Sequence, residues 1–140
     1  MMHEEYMKQA IDEAKKAGQN GEVPIGAILV AENGEVLSSA YNRTISLCDP
    51  SAHAIKNYRL LGTILYVTVE PCIMCMGAII HARIKSVVFG TYDPKGGAAG
   101  SLYNFAEDKR LNHRTEVIPG VCEEKCRSLM REFFIKKRGS

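Results

Sequence analysis

No apolar run in this sequence of 140 residues approaches the ~18 residues that a transmembrane helix needs, so a membrane-spanning segment is not expected. Residues 1–5 are acidic and lack the basic start and the apolar stretch of a signal peptide. Five cysteines are an odd number, which argues against a framework of paired disulfides. These absences together predict a cytoplasmic protein that has no membrane partner.

The sequence also lacks a large charge of one sign, because 18 Lys and Arg residues face 16 Asp and Glu residues, for a net charge of +2. This balance alone does not indicate a nucleic-acid-binding protein. The distribution is more informative, since Arg131, Lys136, Lys137 and Arg138 gather positive charge near one end. Repeats, linkers and low-complexity segments are absent, and the length suits one core, so residues 1–140 are expected to form one domain.

Apolar periodicity predicts an α/β protein. Helical spacing covers residues 3–17, 72–82 and 121–137, and short apolar runs predict strands at 24–30, 36–40, 64–69, 85–89 and 116–118. Asn33-Gly34 between the first two strands predicts a β-hairpin, and a further helix is expected to start at Ser51. Residues 92–100 are rich in glycine and read as a loop. Strands that alternate with helices indicate a three-layer α/β/α domain.

Cys72 and Cys75 are the first candidate metal ligands, because they lie three positions apart at a predicted helix start. A catalytic zinc takes three protein ligands and keeps a fourth position for water, and His53 is the candidate third ligand. A Cys-x-x-Cys pair can also be a redox motif. Pro71 ahead of the pair and the separate His53 favour zinc, and the start of a helix stabilises thiolates.

The remaining cysteines and histidines carry weaker signals. Cys122 and Cys126 are four positions apart on the predicted last helix, a spacing that could hold a metal. Without a nearby histidine, a half-buried helix face is the favoured interpretation. Cys48 is a loop thiol, and His81, far from the start of its helix, is expected to be a packing or surface residue.

An ordered set of short motifs extends along almost the whole chain. They are residues 22–27, 41–43, 49–54, 65–72, 93–101 and 112–114, followed by Leu129, Phe133 and Phe134 in the last predicted helix. Each motif is weak alone, but the ordered set is specific. It resembles the bacterial tRNA-specific adenosine deaminase family of the zinc-dependent cytidine/deoxycytidylate deaminase superfamily.

This resemblance implies a cytidine-deaminase-like fold with a mixed central sheet of about five strands. It also implies hydrolytic deamination of adenosine to inosine at the wobble position of a tRNA anticodon, with Zn²⁺ on His53, Cys72 and Cys75 activating the water. The substrate-binding residues that it implies are Asn42, Ala54, Asp93, Lys95, Asn112, His113 and Arg114. A homodimer is expected, and the apolar, Met-rich run at 73–80 supports it weakly.

The sequence departs from the family pattern directly after Ala54, where the family has a Glu that shuttles protons and this chain has Ile55. His53 and Cys72 are 19 positions apart, roughly ten fewer than the family pattern implies. No carboxylate in residues 54–63 replaces the missing one. Glu70 ends a predicted strand and is expected to be structural, so the catalytic acid–base residue is unknown.

Two explanations of the short spacing stay open. Either the sequence omits a stretch that the protein carries, or the protein has a true deletion and is inactive. The survival of every other family motif favours an omission, which predicts a wide Cα–Cα separation near the Ala54–Ile55 step. Two rival functions also stay open, a guanine- or cytosine-type deaminase of free bases or nucleotides and a catalytically inactive RNA-binding subunit.

Overall fold

Five strands form the central sheet of the fold, and the computed structural model describes residues 3–42, 61–111 and 113–139. The strands are β1 (Gly26–Val30), β2 (Val36–Tyr41), β3 (Ile64–Val69), β4 (Ser86–Thr91) and β5 (Glu116–Ile118), in the spatial order β2-β1-β3-β4-β5. β1 pairs antiparallel with β2 and β3, whereas β3, β4 and β5 run parallel. The prediction of a mixed sheet of about five strands is confirmed.

Within the described residues, three α-helices pack on the two faces of this sheet: α1 (His3–Gln19), α2 (Ile73–His81) and α3 (Glu123–Gly139). Successive strand residues point to opposite faces. Leu29 and Val67 therefore join the core cluster that contains α2, whereas Ile28 and Tyr66 join the cluster of α1 and α3. The three-layer α/β/α architecture predicted from the sequence is confirmed.

The predicted hairpin between β1 and β2 is also confirmed. Gly34 has a φ of 93°, a conformation that suits glycine in a tight turn. The Asn33 side-chain oxygen accepts a hydrogen bond from the Glu35 N–H at 3.0 Å. The antiparallel register from Gly26–Tyr41 to Leu29–Ser38 follows from this turn.

The β3–α2–β4 unit places the start of α2 at one edge of the sheet. Because β3 and β4 are parallel, their carboxyl ends lie side by side, and Val69 pairs with Thr91. The Glu70 N–H continues this pairing by donating to the Thr91 carbonyl oxygen at 2.9 Å. Open α/β sheets bind ligands just beyond such carboxyl ends. Pro71 and Cys72 therefore lead into α2 at the edge where a ligand is expected.

The last helix begins later than its periodicity predicts. α3 starts at Glu123, and Cys122 precedes it with a left-handed φ of 55°, so the prediction that both cysteines lie on this helix is wrong for Cys122. The turn has a physical reason: Gly120 also has a positive φ, of 80°, and the Val121 N–H donates to the Phe89 carbonyl oxygen at 3.2 Å. This contact attaches the segment to β4 before the helix can start.

Cys126 is 1% exposed and packs against Gly90, where an added Cβ would lie 2.2 Å from its Sγ. Burial, with a smaller effect of Cys122, raises the pKa of the Cys126 thiol to about 12. A protonated thiol is a poor metal ligand. Cys126 is buried and Cys122 is partly buried, as expected for a half-buried pair, but only Cys126 lies on the helix. That neither thiol binds a metal stays a prediction.

The structure also bears on His81 and on the expected lack of a membrane-spanning helix. His81, at the end of α2, is exposed, which confirms it as a surface residue. In the described part of the chain, no helix combines the length and the apolar content needed to cross a membrane. The helix expected at Ser51 and the Ala54–Ile55 step lie outside the described residues.

Replacing Gly26 tests the contact of β1 with α1. A Cβ at Gly26 would lie 2.1 Å from the Ala10 carbonyl oxygen and 2.5 Å from the Ala14 nitrogen. Gly26→Ala should therefore lower the free energy of unfolding by about 1–3 kcal/mol, since packed backbone cannot yield cheaply. Denaturant titration measures the change. Gly18→Ala is the control, because a Cβ at Gly18 would contact only the Pro24 Cβ, at 3.6 Å, and should not destabilise the protein. Equal changes in the free energy of unfolding of the two variants would contradict the prediction.

Candidate functional site

A cavity of about 740 Å³ opens at the carboxyl ends of β3 and β4. Its walls come from four parts of the chain: the segment before β1 together with β3, the start of α2, the loop after β4, and one face of α3. The described lining residues are Val23, Ile25, Val67, Val69, Glu70, Pro71, Cys72, Cys75, Thr91, Tyr92, Asp93, Pro94, Lys95, Glu123, Arg127, Met130, Arg131 and Phe134.

Cys72 and Cys75 enter this cavity from the start of α2. Pro71 precedes the N-cap residue and lies outside the helix, where no intrahelical hydrogen bond needs an N–H group. Cys72 is the N-cap residue, and its carbonyl oxygen accepts the Met76 N–H at 2.9 Å. Cys75 follows in the first turn and is 3% exposed. Both residues therefore lie at the electropositive end of α2.

These two residues fit two of the ligand positions of a catalytic zinc. Residues 3–42, 61–111 and 113–139 contain no cluster of three His, Cys, Asp or Glu side chains, so they supply the two thiols and no third ligand beside them. His53, the predicted third ligand, and Ala54 lie outside the described residues. Full coordination by His53, Cys72 and Cys75 therefore stays a prediction.

Asn42 is a fully buried amide behind the cavity wall. Its backbone N–H donates to the Ile25 carbonyl oxygen at 3.0 Å, and its Nδ2 donates to the Val23 carbonyl oxygen at 3.4 Å. Val23 and Ile25 both line the cavity. The Asn42 Oδ1 is buried and has no hydrogen-bond partner in the described structure. An unsatisfied buried acceptor costs about 1–3 kcal/mol, which a ligand that donates to it would recover.

Glu70 lines the same cavity, but its carboxylate is fully engaged. Four hydrogen bonds reach it, from the Asp93, Ala99 and Ser101 N–H groups and from the Ser101 hydroxyl. A carboxylate has about four acceptor positions, so none remains for proton transfer to a substrate. The prediction that Glu70 has a structural role is confirmed.

Asp93 and Lys95 lie at the rim of the cavity in the loop that follows β4. The Asp93 Oδ1 accepts the Lys95 N–H at 3.2 Å, and the Asp93 carbonyl oxygen accepts the Gly97 N–H at 2.8 Å. Asp93 is partly buried, whereas Lys95 is exposed. The structure thus brings these two predicted substrate-binding residues to the same cavity as Cys72 and Cys75.

His113 and Arg114 lie elsewhere. The His113 Nε2 is 2.8 Å from the Ile84 carbonyl oxygen, which also accepts the Thr115 hydroxyl at 3.0 Å. Ile84 precedes β4, and the six residues of that strand put about 17 Å between its two ends. Neither residue lines the cavity in this chain, Asn112 is outside the described residues, and a substrate contact by any of the three stays a prediction.

The face of α3 that closes the cavity was only partly identified from the sequence. Arg127 and Arg131 lie one turn apart, as do Met130 and Phe134, and all four side chains line the cavity. The sequence motifs included Phe134, and the charge pattern included Arg131, but neither indicated Arg127 or Met130. The i, i+4 spacing of Arg127 with Arg131 and of Met130 with Phe134 could have indicated this helix face from the sequence. Together with Lys95, the two arginines put three cationic side chains around the opening.

Two curated relatives show what this chain is similar to. A tRNA-specific adenosine deaminase of Bacillus subtilis is 47% identical over 144 residues, covering 95% of this chain and 89% of the relative. A protein of the same name from Haemophilus influenzae is 44% identical over 146 residues, covering 96% of this chain and 84% of the relative. The likeness thus extends over nearly the full length of both.

The alignment with the Bacillus relative also bears on the short spacing after His53. It runs over 144 positions but contains 95% of the 140 residues, or about 133, so about eleven positions have no counterpart in this chain. This number agrees with the roughly ten positions that the family pattern predicts to be missing. Their location between His53 and Cys72 stays a prediction.

A solved structure has the same fold. It comes from a study of A-to-I editing by tRNA:A34 deaminases at the wobble position of transfer RNA, and it is 38% identical with a TM-score of 0.78. The match covers 89% of this chain and 98% of the solved chain. The family model of the cytidine and deoxycytidylate deaminase zinc-binding region matches residues 1–91, which include the Cys72–Cys75 pair. The chain belongs to this cytidine and deoxycytidylate deaminase family.

Proposed function

We propose that this protein converts adenosine to inosine by hydrolytic deamination at the wobble position of a tRNA anticodon. The observation that carries the proposal is one cavity that holds two thiols at a helix start, with the buried, unsatisfied amide oxygen of Asn42 behind the part of its wall that Val23 and Ile25 form. The names of the relatives at 44–47% identity support the same reaction and the same substrate.

The residues of this chain have separate tasks in the proposed reaction. Cys72 and Cys75, together with His53, would hold a zinc ion, which supplies a hydroxide at neutral pH by lowering the pKa of its water. Asn42 would accept a hydrogen bond from the flipped nucleoside and so fix its orientation. Val23, Ile25 and Val69 form an apolar wall that excludes bulk water from the base.

The opening of the cavity suits a polyanionic substrate. Lys95, Arg127 and Arg131 line it beside Asp93 and Glu123, and Arg127 forms an ion pair with Glu124. The exposed Lys136 and Arg138 add positive charge farther along α3. Cationic side chains attract phosphates and release counterions from the nucleic acid. A free base offers no phosphate to these groups, so their placement favours RNA over the free-base alternative.

The proton transfers of the reaction need a group that the sequence does not show. Glu70 cannot supply it, because four hydrogen bonds occupy its carboxylate. General acid–base catalysis contributes typically ~10²–10⁴-fold to the rate. We therefore assign this task to a Glu in the segment of about ten residues that the family has after His53, and the inactive RNA-binding subunit is the alternative.

A second copy of the chain is the proposed partner besides tRNA. On α2, Ile73 is 47% exposed and Met74 is 69% exposed, so two large apolar side chains face outwards beside the ligand residues. A second copy that covers these two side chains would remove them from water. A tRNA substrate would also place the protein in the cytoplasm.

Zinc content tests the ligand set. The purified protein should carry about one zinc per chain, and Cys72→Ser, Cys75→Ser or His53→Ala should lose most of it, because three protein ligands hold a catalytic zinc. Elemental analysis of the folded variants gives the ratio. Cys122→Ser is the control and should keep its zinc. Full occupancy in Cys75→Ser, or loss in Cys122→Ser, would refute the assignment.

Inosine formation in an anticodon stem-loop RNA tests the reaction. A protein of the present 140-residue sequence should react at least ~10²-fold more slowly than the same protein carrying the Bacillus relative's segment after Ala54, since the acid–base group is restored. The same graft with Gln in place of its Glu is the matched control. Free adenosine should be a poor substrate for all three proteins. Deamination of free nucleotides but not of the RNA would favour the small-molecule deaminase.

Asn42→Ala tests nucleoside binding separately from catalysis. Loss of one buried hydrogen bond should weaken stem-loop binding about 10-fold, since a net hydrogen bond is worth about 1 kcal/mol or more. Fluorescence anisotropy on the zinc-loaded protein measures the Kd. Asn20→Ala, at an exposed position after α1, is the control. An unchanged Kd in a folded Asn42→Ala protein would remove Asn42 from the site.

A further inference from the structure

One buried carboxylate organises the segment of residues 93–101 that follows β4. Glu70 is 3% exposed. Its Oε1 accepts the Asp93 N–H at 3.0 Å and the Ser101 hydroxyl, and its Oε2 accepts the N–H groups of Ala99 at 3.0 Å and Ser101 at 2.9 Å. All four donors belong to this segment, so one side chain fixes both its beginning and its end.

The charge of Glu70 is balanced by this segment. In the described part of the chain no ion pair involves Glu70, so its charge depends on three backbone N–H groups and one hydroxyl. Hydrogen bonds from backbone N–H groups stabilise a buried carboxylate. Moving the segment would leave a buried charge without donors, and this cost holds residues 93–101 in place.

The same segment is attached to the start of α2. Gly97 forms a backbone bridge with Cys72, and the Ala98 N–H donates to the Pro71 carbonyl oxygen at 2.8 Å. A Cβ at Gly97 would lie 2.2 Å from the Glu70 Cδ, so only glycine lets the backbone come this close. The side chain of Glu70 and the backbone of Pro71 and Cys72 therefore hold the segment from two sides.

We propose that Glu70 is a positioning residue that acts through Asp93 and Lys95. By holding residues 93–101 against the start of α2, Glu70 sets where Asp93 and Lys95 stand at the rim of the cavity relative to Cys72. The RNA would then meet a rim that is already ordered. This inference rests on the proposed function in one respect, because it assumes that RNA enters this cavity.

Glu70→Gln tests the role with little change of volume. The amide keeps one oxygen, but in either orientation its NH₂ group faces at least one backbone N–H donor, so at least one of the four hydrogen bonds is lost. Glu107→Gln makes the same chemical change at an exposed position in the 3-10 helix Phe105–Glu107 and serves as the control. Ser101→Ala removes only the hydroxyl and replaces Glu70→Gln if that variant does not fold.

The RNA readout is a double-mutant cycle with Lys95→Ala. Glu70→Gln should weaken binding of an anticodon stem-loop ~10-fold in the original chain but less than ~2-fold in the Lys95→Ala background, because coupled residues are not additive. Ser101→Ala should show the same pattern with a smaller loss, ~3-fold. A purely structural role predicts equal losses in both backgrounds, or none in the folded protein, and either result would overturn the proposal.

Amide hydrogen exchange separates this proposal from the proposed function. Glu70→Gln should speed exchange at the Asp93, Ala99 and Ser101 amides at least ~10-fold, and Glu107→Gln should leave all three unchanged. If the unsubstituted chain does not bind the stem-loop, the proposed function fails, while faster exchange still supports Glu70 as the residue that holds the rim. Unchanged exchange at these amides overturns the role of Glu70 whatever the RNA result.

Discussion

The parallel pairing of β3 with β4 is the constraint on which the site depends. It puts two carboxyl ends at one edge of the sheet, so the residues that follow each strand become neighbours although some twenty positions separate them. The turn into α2 follows β3, and the loop with Asp93 follows β4. The backbone bridge between Cys72 and Gly97 is the direct result. Without this register, a helix start and a polar loop would be two unrelated surface features.

Most of the fold could be predicted because its signals are local. The buried face of α1, the Asn33-Gly34 turn and the apolar runs of β3 and β4 all follow short-range periodicity. The start of α3 could not be predicted in this way. Its periodicity extends back to Val121, but a contact with Phe89, distant in sequence, ties that residue to β4 and delays the helix.

Residues of the site could be predicted where a short motif indicates their chemistry. Their roles could not be predicted where contacts between distant parts of the chain determine them. Cys72 and Cys75 were identifiable as candidate ligands, and the structure puts them in the cavity, because metal ligands need fixed residue types at fixed spacing. Glu70 could be recognised as structural, but its four donors come from a loop more than twenty residues away. His113 shows the opposite case, since the motif around it is clear while its ring binds a backbone carbonyl at the far end of the sheet.

The burial of Cys126 sets its thiol apart from the two thiols that line the cavity. A thiol whose pKa is about 12 keeps its proton at the pH of a cell and neither attacks electrophiles nor competes for metal. Cys72 and Cys75 differ in their surroundings, because they lie at the electropositive start of α2 and line the cavity. The buried thiol of Cys126 is therefore a poor competitor for any metal that the proposed ligands Cys72 and Cys75 would hold at the cavity.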